Sequence, residues 1–265
     1  MNILILGTSK SDINIINSCL KSKYLDRIYT ASAEPLEEIP NIEYLDFQDL
    51  SQKAKALKID LILHSNKEFI KNGFVEFCKK NLLNIISVNS KWFNLEASRT
   101  VAKRLMDYYS INNPEIIKAP LFFPVVIKTN NPHLTKIAYS MDELVNYREN
   151  LGGRDVFLEE YLSGTVYNLL SLWDGKSILS FYNPNDFTEV QLERLELYKT
   201  KLSFMLSDEN ADFTGFFTTK LIWAKNDWYV LEYKMSLDEK SDLSLIKSDF
   251  LYLLNSAIYQ KLNEI

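Results

Sequence analysis

Val125-Val126-Ile127-Lys128, Phe157-Leu158-Glu159-Glu160-Tyr161-Leu162-Ser163-Gly164 and Trp228-Tyr229-Val230-Leu231-Glu232-Tyr233 are the stretches on which the fold turns. Each is a short run of aliphatic and aromatic residues interrupted by charge, the composition of a strand with a buried face. Lys128 closes the first run. Glu159 and Glu160 stand where the second gives way to Ser163-Gly164, and Glu232 is the carboxylate of an otherwise apolar and aromatic third.

Upstream, apolar strands at 2–6, 27–30, 60–64 and 84–87 alternate with helical patterns at 11–20, 48–57 and 72–80. Such alternation implies a parallel sheet with crossover helices, a Rossmann-like domain over residues 1–90. An amphipathic helix at 94–109 follows, with Leu95, Val101, Leu105 and Tyr108 on one face. With Pro114, Pro120 and Pro124 it forms a linking segment over 91–120. Residues 121–185 read as a third unit: strands at 125–129, 136–139 and 156–161, a helix at 141–149, and strands flanking the Asp174-Gly175 turn. Residues 186–265 read as a fourth, with helices at 188–206 and 246–262 around strands at 213–223 and 228–234. The fold class is α/β, the last two units being α+β.

The 265 residues suffice for a substantial core. The net charge of −5 argues against a broad nucleic-acid platform. Cys19 and Cys78 form no CxxC pair and suit a reducing compartment. The apolar start at 1–7 lacks a basic flank and a cleavage pattern, and no run reaches transmembrane length. A cytoplasmic protein without membrane contact is the expectation.

Further strings extend the pattern in order: Leu4-Ile5-Leu6-Gly7, Lys58-Ile59-Asp60-Leu61, Asn94-Leu95-Glu96-Ala97-Ser98-Arg99 and Phe213-Thr214-Gly215-Phe216. With the three opening stretches, this collinear set resembles the glycinamide ribonucleotide synthetases (phosphoribosylamine–glycine ligases), ATP-grasp enzymes of purine biosynthesis. The segments 245–250 and 261–264 look like the family's helix after the site, and the family's C-terminal domain has no counterpart here. The resemblance implies a Rossmann-like parallel sheet followed by an ATP-grasp fold, with residues 121–185 as its lid and 186–265 as its central part, and with ATP and Mg2+ as cofactors.

It also implies roles for individual residues. Lys128 matches the lysine on the nucleotide phosphates, with a solvated strand-end lysine an equally good reading; Lys136 matches the lid-loop lysine, with simple exposure the plainer reading. Arg99 and Lys103 lie four apart on one helix and can approach the same anion, although a charged outer helix face explains them more simply. Glu159, Glu160, Tyr161 and Leu162 match the hinge where adenine is read partly by backbone groups. Glu232 matches the magnesium-ligating glutamate, an oxygen ligand for a hard cation; a lysine's partner is the alternative.

The departures are as informative. Lys234 stands where the family has asparagine and points to the same side of its strand as Glu232. Lys220 replaces a glycine on the preceding strand. An ammonium 4 Å from a divalent ion costs roughly 8 kcal/mol at an effective dielectric near 20. Lys220 or Lys234 is therefore a candidate to replace metal charge, either by pairing with Glu232 or by binding an anion. The phosphate-covering loop, Thr129 to Thr135, has lost its glycines, which let backbone amides approach phosphate. His133 within it is a candidate acid or base, or an idle exposed histidine. His64-Ser65-Asn66 offers a ligand contact at a sheet's carboxyl edge, or a satisfied structural histidine.

Three functions are compatible with these residues. The first is an ATP-grasp protein that keeps adenine-nucleotide binding while ligase activity is weakened or lost. The second is an active carboxylate–amine ligase, with Glu232 and one of Glu159, Asp238 or Glu239 holding magnesium. The third is a scaffold for a protein partner, using Phe216, Phe217, Trp223, Trp228 and Tyr229.

Overall fold

A computed structural model describes residues 1–129, 134–151 and 156–265. In chain order the elements are β1 (Asn2–Ile5), α1 (Lys10–Leu20), β2 (Arg27–Thr30), α2 (Phe47–Ala56), β3 (Leu61–Leu63), α3 (Lys67–Lys71), α4 (Phe74–Lys80) and β4 (Ile85–Ile86). There follow α5 (Ser90–Ala97), α6 (Arg99–Tyr108), β5 (Ile116–Ile117), β6 (Val125–Thr129), β7 (Thr135–Ala138), α7 (Met141–Asn150) and β8 (Val156–Glu160). The last part holds β9 (Thr165–Trp173), β10 (Ile178–Phe181), α8 (Glu189–Asp208), β11 (Gly215–Ala224), β12 (Asp227–Lys234) and α9 (Phe250–Ile258).

The first sheet is parallel, ordered β2-β1-β3-β4. Ile3, Leu4 and Ile5 are wholly buried because helices cover both faces, which explains the unbroken apolar run. Ile15, Ile16 and Cys19 of α1 pack on one face together with Leu251, Leu253 and Leu254 of α9. Leu50 and Ala54 of α2 pack on the other with Phe74, Val75 and Cys78 of α4. Both cysteines are free, and burial pushes each thiol up to about 12.

The second sheet, β5-β8-β6-β7, is antiparallel and carries a small core of Val125, Ile127, Ala138, Leu144 and Leu158. The third, β10-β9-β11-β12, is also antiparallel. Helix α8 covers it with Leu195, Tyr198, Leu202 and Met205, in one core with Trp173, Phe217 and Trp228. Strands β9 and β10 thus belong with β11 and β12, so the change of sheet falls between residues 160 and 165 rather than near 185.

Two sequence expectations need correction. The helix expected over 94–109 is two helices, parted at Ser98, whose extended backbone ends α5 and whose side chain caps α6 by accepting from Val101 N–H. That break re-aims the second helix. Arg99, Ala102, Lys103 and Met106 become its buried face, and Tyr108, expected on the apolar stripe, is 76 % exposed. The closing helix is likewise shorter than 246–262, because Asp249 caps it at Phe250.

Phe216, Phe217 and Trp228 are core residues, so three of the five aromatics considered for a partner surface are not available to one. Gly215 sits where β11 crosses the end of the first sheet. A Cβ there would lie 2.7 Å from the Ser87 carbonyl carbon, and Ser87 N–H donates to Thr214 O at 2.7 Å. Among the described residues, no helix is long and apolar enough to cross a membrane.

Candidate functional site

The second and third sheets face one another, and α5 and α6 close the space between them. On β6, Val125 and Ile127 point into the small core, which turns Lys128 to the opposite face, toward the cleft. On β8, Glu159 lies opposite Val126, and Phe157 lies opposite Lys128. Two residues separate these pairs, so Glu159 and Lys128 share a face.

Glu159 takes two ammonium groups. Its Oε2 lies 2.6 Å from Lys128 Nζ and its Oε1 lies 3.2 Å from Lys103 Nζ, all three side chains being buried. Lys103 also donates to Asn113 Oδ1 at 2.6 Å and to the Pro114 carbonyl. Lys128 donates to the Leu231 carbonyl at 3.2 Å, tying the second sheet to the third. Arg99 donates to Thr135 Oγ1 at 2.9 Å. Burial lowers the pKa of Lys128, opposed chiefly by Glu159. Burial likewise lowers that of Arg99, opposed by Glu232 and Glu159.

Glu232 lies opposite Lys220 in the β11–β12 ladder, where the register shifts after Lys220. Its Oε1 is 3.5 Å from Lys220 Nζ. Lys234 instead reaches Glu96 Oε1, at 3.9 Å. The same oxygen lies 2.5 Å from Lys67 Nζ, while Glu96 Oε2 accepts Met235 N–H at 2.8 Å. Among the described residues, no group of three or more His, Cys, Asp or Glu side chains is placed to hold a metal ion. The cavity enclosed by Glu96, Arg99, Lys103, Lys128, Glu159 and Glu232 is about 30 Å3. That holds a water or two, whereas small-molecule pockets run to roughly 300–1,000 Å3.

The other sequence candidates lie around this centre. Glu160 pairs with Lys225 and accepts Glu115 N–H at 3.2 Å. Tyr161 is 38 % exposed, and Leu162 is buried with Ile222 and Ala224 beside Tyr229 and Leu231. Lys136 is exposed on β7 opposite Ile127. His133 lies outside the described residues. The expectation of an outer charged face for Arg99 and Lys103 is overturned, since both are buried at the junction of the two sheets. Glu96 and Asn113 were missed as participants. Their signal is faint: one acid beside Trp92, Phe93 and Leu95 on a short helix, and one amide before a proline.

At the carboxyl edge of the first sheet, a crevice of about 760 Å3 is lined in part by Thr8, Ser9, Ser65, Asn66 and Lys67. Asp12 already occupies the head of α1. It accepts Ser9 N–H and Ser65 N–H at 3.0 Å each and both serine hydroxyls at 2.7 Å. His64 turns away from this crevice into a cavity of about 10 Å3 with Ile15, Phe216 and Phe250. It is a structural histidine, buried beside Phe69 and the Asn66 backbone. Burial drives its pKa from 6.5 to about 4, with Asp12 opposing.

The unfolded chain therefore takes up this proton before the folded one does. Stability from a neutral His64 is complete above about pH 6.5 and falls as pH drops toward 4, by about 3 kcal/mol in all. His64→Leu is expected to remove that share of the acid slope in urea titrations at pH 7, 5.5 and 4.5. An unchanged slope would show that His64 titrates alike in the folded and unfolded chain.

No family model matches the chain. A phosphoribosylamine–glycine ligase from Fusobacterium nucleatum is 26 % identical over 319 positions, covering all of this chain and 75 % of the relative. That alignment exceeds the 265 residues present, so the relative has stretches without a counterpart here. The crystal structure of the Thermotoga maritima phosphoribosylamine–glycine ligase superposes with a TM-score of 0.76 at 18 % identity, over 97 % of this chain and 75 % of that one. D-alanine–D-alanine ligase from Bacillus anthracis, crystallised with ATP, gives 0.61 at 18 % identity, over 100 % and 97 %. With its parallel first sheet and two antiparallel sheets, the chain has the ATP-grasp fold and resembles the phosphoribosylamine–glycine ligases in sequence.

Proposed function

We propose that this protein binds an adenine nucleotide between its second and third sheets and has weak or no ligase turnover. The observation that carries the proposal is the convergence of Arg99, Lys103, Lys128 and Glu159 with Glu232 in that cleft, each carboxylate already facing lysine. Likeness in sequence to phosphoribosylamine–glycine ligases supports the nucleotide part. Lys220 against Glu232 supports the loss of turnover, because an ammonium beside that carboxylate opposes a divalent ion there.

The cleft must open to admit a ligand. Lys128 then leaves the Leu231 carbonyl, and its ammonium, held until then by Glu159, turns to phosphate. Opening draws on binding energy, so apparent affinity falls with the fraction of open molecules. The backbone from Glu159 to Leu162 is the candidate to read the base, whereas Lys136, opposite the core-facing Ile127, points away from the cleft.

Thermal-shift titrations with ATP, ADP and GTP test this reading. At ~100 times the dissociation constant, binding adds about 2.7 kcal/mol, roughly 5–10 °C for a chain of this size. ATP and ADP should raise the melting temperature more than GTP does. ATP consumption should stay at background when glycine and phosphoribosylamine are supplied. Absence of any nucleotide shift would refute the binding, and brisk ADP formation would refute the loss of turnover.

A further inference from the structure

Resting on the nucleotide reading, we infer that the cleft binds the phosphate chain of a nucleoside di- or triphosphate through ammonium groups, without a divalent cation. The charge inventory argues for it. Among the described residues, Lys67, Arg99, Lys103, Lys128, Lys220 and Lys234 are set against Glu96, Glu159 and Glu232. Arg99, Lys103 and Lys128 line the cleft itself, and Lys220 and Lys234 pair with carboxylates of its wall, whereas Lys67 lies in the crevice of the first sheet. Five cations thus face three carboxylates before any metal is added.

The arrangement also opposes a divalent ion. Magnesium is commonly held by one or two carboxylates, substrate phosphates and water in near-octahedral geometry. Glu232, the candidate carboxylate, has an ammonium 3.5 Å from its Oε1. An ion bound to that carboxylate would stand close to Lys220 and feel twice the repulsion of a unit charge. Releasing Lys220 from Glu232 frees a flexible point charge of the kind that binds phosphate. Lys234 is similarly loosely held, 3.9 Å from an oxygen that Lys67 already engages at 2.5 Å. The two residues that depart from the family pattern are thus the two most readily recruited by an anion.

Calorimetric titration of the full chain distinguishes the outcomes, using ATP in EDTA, ATP in excess magnesium, adenosine in EDTA and tripolyphosphate in EDTA. ATP should bind in EDTA at least as tightly as in magnesium, with adenosine weaker by roughly tenfold or more. Tripolyphosphate should compete with ATP. Lys220→Met and Lys234→Met should each weaken ATP about tenfold in EDTA while leaving adenosine unchanged, and Lys220→Arg should keep most of the affinity. Lys220 is half-exposed, so the substitution leaves the fold intact, with the melting temperature as the check. ATP binding that appears only with magnesium would overturn the metal-free site and leave the nucleotide reading standing. Equal affinity for ATP and adenosine would overturn the phosphate site alone. No binding by any nucleotide would overturn both.

Discussion

Glu159→Ala is expected to destabilise the protein by about 3–5 kcal/mol, because it strands two buried ammonium groups. Lys103 keeps Asn113 and the Pro114 carbonyl, and Lys128 keeps the Leu231 carbonyl, so hydrogen bonds survive while compensating charge is lost. Urea denaturation at pH 7 measures the loss. For a chain of this length it corresponds to a melting temperature lower by roughly 10 °C. Lys103→Met, Lys128→Met and Glu159→Leu combined should recover most of that stability, since apolar replacement of an entire buried ion cluster is often neutral or better. The triple variant should then fail to bind ATP. A single variant within about 1 kcal/mol of the parent would mean that water reaches this network, contrary to its burial.

Gly164→Ala is the second large effect. A Cβ at Gly164 would stand 1.9 Å from the Trp223 carbonyl oxygen and 2.9 Å from its carbon. Neither side can yield cheaply. Thr165 is paired with Trp223 in the β9–β11 ladder, and the Trp223 ring packs against Trp228 at 5.1 Å between centroids. The cost should reach or exceed the ~3 kcal/mol end of the overpacking range. Leu162, two residues upstream, packs on the same sheet, so the hinge should shift as well. Loss of nucleotide binding in molecules that remain folded is the expected companion result. A variant with parental urea midpoint would contradict the close approach.

Gly164 also shows what was legible from sequence. The Ser163-Gly164 ending of its motif marked a turn out of a strand, and the strand positions of all three opening stretches hold. So do the parallel first sheet and the Asp174-Gly175 hairpin. These are local signals of periodicity and turn chemistry. The burial of Arg99 and Lys103 was not legible. It depends on Glu159 arriving from a strand more than fifty residues later, and on Ser98 rotating the helix that carries both cations. A polarity pattern assigns charges to the outside unless a distant partner is known. Glu96 is hidden for the same reason, since its partners Lys67 and Lys234 lie on either side of it, the second far downstream on β12. Lys220 and Lys234 were legible as substitutions and Glu232 as a candidate partner of either, whereas the choice of Lys220 for Glu232 and of Glu96 for Lys234 required the fold.

The most direct test of nucleotide binding in this cleft is photolabelling with 8-azido-ATP followed by peptide mapping, with and without excess ATP. Labelling should concentrate on peptides spanning 157–164 and 228–235 and disappear under competition. Label elsewhere, or label that ATP does not displace, would contradict a nucleotide site between the second and third sheets.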